Sequence, residues 1–279
     1  MSEPTLSGNQ ELVERELVER LQARTNPFKL RNPEEAAREV EPQMHLYGRV
    51  GAQCITDTSL GKTTPQDRRD PLKLVVGIGG PGEGNIPLWA EDTTLRWRFR
   101  ERSLTLFEDP EGAKSFIQEL FGAALLAWGD AAPVRFVYGE EVRGDFEVAM
   151  NWVSDCTTTN GSTGCVLASA FFPARAQETL WLYPEMFEQS AQEMIETIVH
   201  ELGHCFGLRH YFAPEKETDW PAVVFGTHKP FSIMNYGSQS VLTEADRDDL
   251  TRLYEAAWSG KISNISGLPI RLVKPLSAI

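Results

Sequence analysis

The sequence predicts an α+β fold: a twisted mixed β-sheet with one helix behind it, a second helix rich in histidine, and a smaller C-terminal portion. Three observations predict it. Several short segments alternate apolar and polar residues, as half-buried strands do. Two longer stretches instead repeat their apolar residues at helical spacing and carry capping residues at their ends. Their order is strand, helix, strand, strand, strand, helix, which segregates helices from strands rather than alternating them strictly.

The elements follow in chain order. "QELVERELVERLQAR" (10–24) places Leu12, Val13, Leu17 and Leu21 at helical spacing, and Pro27, Pro33 and Pro42 then break the pattern. Residues 1–70 therefore read as an N-terminal extension of helix plus irregular chain, and 71–279 as one domain. "LKLVVGIGGPGEGN" begins as a strand, and its glycines fit a G-x-G-x-x-G spacing. A dinucleotide site needs a helix to start there; Pro81 and Pro87 follow instead, so the glycines read as a loop. "TLRWRFR" is a strand with Leu95, Trp97 and Phe99 on one face. "DPEGAKSFIQELFGAALLAWG" is a helix capped by Asp109, with Pro110 in its first turn and Gly129 at its end. "VRFVYGEE", "FEVAMNWV" and "VLASAFF" are three more strands. The histidine-bearing helix opens at "SAQE", where Ser190 and Glu193 form a capping box, and runs to Gly207.

Composition limits the function. Apolar residues make up 41% of 279, enough for a sizeable core. The net charge is -13, which repels a phosphate backbone and speaks against nucleic acid as a partner. No apolar run reaches the ~20 residues that span a bilayer, so no membrane association is expected. The N-terminal sequence shows no basic and apolar leader. As written that suits the cytoplasm, with secretion by an unseen route left open. Cys156 and Cys165 bracket the polar loop "CTTTNGSTGC", whose ends can meet in a disulfide; two reduced, half-buried thiols are the cytoplasmic alternative.

Three of the five histidines lie in "VHELGHCFGLRH". At ~100° per residue, His200 and His204 sit about 40° apart, on the side away from the stripe of Met194, Ile195, Ile198, Val199, Leu202, Cys205 and Phe206. Two imidazoles one turn apart suit a tetrahedral metal. Glu201 falls roughly 60° from His204, where it is placed to reach a metal-bound water rather than to ligate. Gly207 can take a left-handed conformation and turn the chain so that His210 supplies a third ligand. His45 and His228, in irregular segments, read as surface residues.

This H-E-x-x-H-x-x-G-x-x-H pattern resembles the metzincin zinc metallopeptidases. "SIMNYG" (232–237) resembles their Met-turn, with Met234 as an apolar floor under the ligands. From about Ile86 to Trp258 the chain is most similar to the matrixins: "LWAEDTTLRWRF" to their opening strand, "GCVLASAFFP" to their strand ending in Ala-Phe-Phe-Pro, and "LTEADRDDLTRLY" to a closing helix capped by Thr243.

The resemblance implies a zinc-dependent endopeptidase with a C-terminal subdomain formed by the Met-turn and closing helix. His200, His204 and His210 would hold one catalytic zinc, and Glu201 would act as general base on its bound water. Substrate would lie along Leu167, Ala168, Ser169 and Ala170 by strand addition. Tyr236, two after the methionine, instead resembles a tyrosine of astacins and serralysins that can approach the zinc, which implies a catalytic role; packing under the turn is the alternative. Partners would be proteins or peptides, with the chain a monomer. Matrixins carry a structural-zinc histidine where this chain has Ser169, and "RAQETLWLYP" has none either, so a second zinc is not expected. No loop is dense enough in carboxylates to assign calcium. Two other readings stand beside this one. The first is a zinc-containing peptide-binding module that no longer cuts, against which an intact Glu201 speaks. The second is a latent enzyme whose pro-segment-like extension brings Cys54 to the metal, although "GAQCITDT" lacks the usual surrounding motif and Cys54 reads better as a small buried apolar side chain.

Overall fold

The structure is a computed structural model describing residues 8–24, 26–31, 53–54, 74–76, 78–80, 83–140, 144–159, 162–216, 221–226, 232–235 and 240–278. His45, His228 and Tyr236 lie outside the described residues.

The main sheet is built from β5 (Thr94–Phe99), β6 (Arg135–Tyr138), β7 (Phe146–Met150), β9 (Ser162–Ser169) and β10 (Glu178–Leu182), in the spatial order β9-β10-β7-β5-β6. Four of these strands are parallel, and β9 runs antiparallel to β10. β8 (Cys156–Thr159) folds back on β9 as a hairpin that pairs Cys156 directly with Cys165, and the two are joined by a disulfide.

One face of the sheet is covered by α2 (Pro110–Trp128) and, packed against it, α3 (Ala191–Cys205). Asp109 caps α2 by accepting from Gly112 N at 2.9 Å. Leu95, Trp97, Phe99, Phe146, Val148, Leu180 and Leu182 point from the strands into Phe116, Ile117, Leu120, Ile198 and Leu202 of the helices, all buried. Burying each such side chain contributes about 1.5–3 kcal/mol.

α1 (Gly8–Gln22) adds to this core: Leu21 is buried, and Arg24 pairs with Glu119 of α2 at 2.8 Å. Phe28 stacks on Phe187 and meets Phe107 and Phe116 edge-on.

Several strands were not legible in the sequence. The glycine stretch is a strand pair, not a loop: β3 (Ile78–Gly80) runs antiparallel to β4 (Glu83–Trp89). Its lack of side chains hid the pairing. β10 is a further strand beyond those the sequence predicts, and β9 ends at Ser169, before Phe171 and Phe172 turn into buried positions. After the short helix α4 (Ala213–Lys216) and α5 (Glu244–Trp258), whose N-cap Thr243 forms a capping box with Asp246, the chain adds β12 (Asn264–Ile265) and β13 (Leu268–Val273). β13 pairs in parallel with β4, register Ile270 to Ile86 through Val273 to Trp89. Ser277 then donates through N and Oγ to buried Asp145, pinning the tail to the start of β7. A third small sheet pairs β2 (Leu74–Val76) with β11 (Val223–Phe225). Finally β1 (Gln53–Cys54) lies parallel to β9, Gln53 opposite Val166 and Cys54 opposite Ala168. No helix among the described residues is long and apolar enough to cross a membrane.

Candidate metal centre

α3 begins with a reciprocal cap: Ser190 Oγ accepts from Glu193 N, and the Glu193 carboxylate accepts from Ser190 N. The Ser190 N and Oγ donations to that carboxylate hold it below its ordinary pKa. The helix is fixed laterally by the Trp128 indole, which donates to Val199 O at 3.0 Å. Its apolar stripe is buried as the periodicity requires.

The C-terminus of α3 is where the site is made. The helix ends at Cys205, two residues earlier than the sequence suggests, because Gly207 adopts φ +88°. Leu208 N bonds back to Gly203 O and Gly207 N to His204 O, the two bonds of a Schellman turn. The turn reverses the chain and delivers His210 to the face that carries His200 and His204. A Cβ at Gly207 would approach Pro87 O to 2.8 Å, so the position demands glycine both by torsion and by space.

All three imidazoles are buried, and one ring nitrogen from each lies within 4.8 Å of the others. His200 Nδ1 is 2.7 Å from Ile233 O, and His204 Nδ1 is 2.7 Å from Leu208 O. A carbonyl only accepts, so both Nδ1 atoms are protonated and the Nε2 lone pairs face inward. His204 Nε2 and His210 Nε2 stand 3.3 Å apart. That matches the edge of about 3.4 Å expected for two ligands held tetrahedrally at 2.0–2.1 Å. The donor set and its spacing therefore fit zinc. Phe172 meets the His204 ring edge-on and Phe212 stacks on His210, which dries the walls of the site.

Met234 is buried in a short turn where its N donates to Ser232 Oγ, and Met234 O accepts from Tyr211 N. The turn thus carries Ile233 O to His200 and ties the segment after His210. Glu201 is buried, adjacent to His200 on α3. Leu167, Ala168 and Ser169 lie on β9, with Ala170 just beyond it.

Sequence reasoning missed the residues that fix the rings. The carbonyls of Ile233 and Leu208 leave no sequence signal, since any residue supplies one. The Trp128 indole carried a signal, as a buried tryptophan seeks a partner for its N–H.

The matrixin family model matches residues 88–255, more than half of the chain. Two solved structures of myroilysin are similar at low identity. One is 15% identical, with 60% of this chain and 95% of that chain covered and a TM-score of 0.42. The other is 14% identical, with 70% and 99% covered and a TM-score of 0.41. No curated protein matches the chain. The matched segment contains all three imidazoles, the buried carboxylate and the methionine turn, and the chain belongs to the matrixin family of metallopeptidases.

Proposed function

We propose that this metallopeptidase is a zinc-dependent endopeptidase in which His200, His204 and His210 hold the metal and Glu201 is the general base. The observation that supports it is the convergence of three buried ring nitrogens within 4.8 Å, beside a buried carboxylate on the same helix. Zinc held there supplies a Lewis acid that acidifies water and polarises a carbonyl. Glu201 takes the proton from the attacking water and passes it to the departing amine. The main chain of Leu167, Ala168, Ser169 and Ala170 orients an extended peptide, a mode that reads backbone more than side chains. We assign Tyr236 to the developing charge on the carbonyl oxygen, to be read from Tyr236→Phe. The partners are proteins or peptides, met by a monomer.

The test is cleavage of casein, and of an internally quenched peptide blocked at both ends, with and without chelator. Chelator-sensitive cleavage of the blocked peptide is expected. Glu201→Ala should keep its zinc and lose about 10²–10⁴ in rate. Equal activity in that variant removes Glu201 from the mechanism. Zinc-loaded protein that cuts nothing makes the chain a binding module.

One observation favours a second reading, latency. β1 covers the edge of β9 at Val166 and Ala168, on the side where substrate would add. Limited proteolysis that raises activity supports it. Cys54→Ala separates the causes: continued latency assigns the block to the strand, and release assigns it to the thiol.

A further inference from the structure

The last four carbonyls of a helix have no partner within it. In α3, Leu202 O is taken by Phe206 N, and the Schellman turn takes those of Gly203 and His204. The carbonyl of Cys205 and that of the cap residue Phe206 remain, both in a buried segment. They are taken from outside the helix. The Trp89 indole donates to Cys205 O at 2.7 Å, and the Tyr254 hydroxyl donates to Phe206 O at 3.0 Å. The two donors are themselves joined, because Trp89 N donates to the Tyr254 hydroxyl at 3.3 Å. Both side chains are 1% exposed, and burial raises the Tyr254 pKa well above that of a free phenol, so the hydroxyl remains a donor. Trp89 ends β4, whose far side is paired with β13, and Ala90 N donates to Val273 O. Trp258 closes the set by donating from its indole to Trp89 O.

We infer that Trp89 and Tyr254 are positioning residues for the third metal ligand, fixing through the Cys205 and Phe206 carbonyls the Gly207 turn that carries His210. The inference rests on the zinc reading above. His200 and His204 are carried by α3 itself, with their rings oriented by Ile233 O and Leu208 O, whereas His210 lies beyond a turn whose last two helix carbonyls are held from outside the helix. Between Phe206 and His210 lie only three residues, 207–209, so a swing at the turn moves the ring directly. The residues after Trp258 take part as a brace: β13 holds β4, and β4 carries the Trp89 donor.

The test measures zinc affinity by competition titration in the full chain, together with the visible spectrum of the cobalt-substituted protein. Tyr254→Phe removes one hydroxyl and keeps the ring; Trp89→Phe, made separately, covers the case in which the first variant fails to fold. Thr243→Ala is the control, since it removes the N-cap of the same helix α5 and touches no carbonyl of α3. Loss of an outer partner of a metal ligand typically weakens affinity about 10–100-fold. We expect at least about tenfold here in each phenylalanine variant, with an altered cobalt spectrum and a parent-like control. Parent-like affinity and spectrum in the folded phenylalanine variants overturn the inference. Equal weakening in Thr243→Ala also overturns it, because the effect would then be general loss of stability. A parent chain that binds no zinc overturns this inference and the zinc reading together, whereas tight binding in parent and variants alike overturns this inference alone.

Discussion

The Sδ atom of Met234 occupies the space that a Cβ on Gly203 would need, with its Cε 3.2 Å from the same point. The glycine between the two helical ligands is therefore a socket for the methionine. Trp128 Cζ2 lies 3.6 Å from the same point, an ordinary contact, so Met234 is the group that would have to move, and it is itself buried. Gly203→Ala is expected to cost about 1–3 kcal/mol as an overpacked core site, although alanine is the better helix former. Thermal unfolding measures it. A stability gain would show that the turn yields and that glycine serves helix geometry alone.

The cap of α3 predicts a pH signature. Glu193 is held below its ordinary pKa by bonds from Ser190 N and Oγ. A lowered folded pKa means stability that is present above the unfolded carboxyl value and is lost as pH falls through the folded one. Ser190→Ala should therefore cost about 0.5–2 kcal/mol near neutrality, with the gap to the parent narrowing below about pH 4. Urea unfolding at pH 7 and pH 3 decides. A gap unchanged between the two would locate the cost elsewhere.

Metal removal should be visible without any substrate. The three imidazoles sit on α3 and on the segment after Gly207, beside the Met234 turn, so an ion bound by them would hold together pieces that separate on unfolding. Zinc at 100 times its Kd should add about 2.7 kcal/mol, and chelator should lower Tm by the equivalent amount. Titrating zinc back should restore Tm in proportion to the logarithm of its concentration. A Tm indifferent to chelator would mean that the imidazoles hold no ion in solution.

How much of this was legible in the sequence follows from what each element's signal is made of. Capping residues at Asp109, Ser190 and Thr243 announced three helices because the cap is a local hydrogen bond made by the side chain itself. The ligand spacing was legible because helix geometry converts sequence distance directly into direction. β13 was not, because its partner lies 184 residues away in the chain, Ile270 opposite Ile86, and the local β3–β4 pairing was hidden because its glycines carry no side-chain pattern. The partners of the ligand rings were also hidden, since backbone carbonyls at Leu208 and Ile233 leave no mark in residue type.

Gly207 allows the two demands on one glycine to be separated. Its φ of +88° costs a side-chain-bearing residue about 1–2 kcal/mol, and asparagine is among the few that tolerate it. Space is the second demand, as any Cβ comes to 2.8 Å from Pro87 O, and that carbonyl belongs to β4, which β13 holds in register. If torsion alone mattered, Gly207→Asn would behave almost like the parent while Gly207→Ala would not. Because the clash is shared, both variants should be destabilised and both should lose zinc affinity, as the chain must bend away just ahead of His210. Unfolding and zinc titration of the pair test this. Rescue by asparagine would show that β4 gives way and that the torsion alone selects glycine.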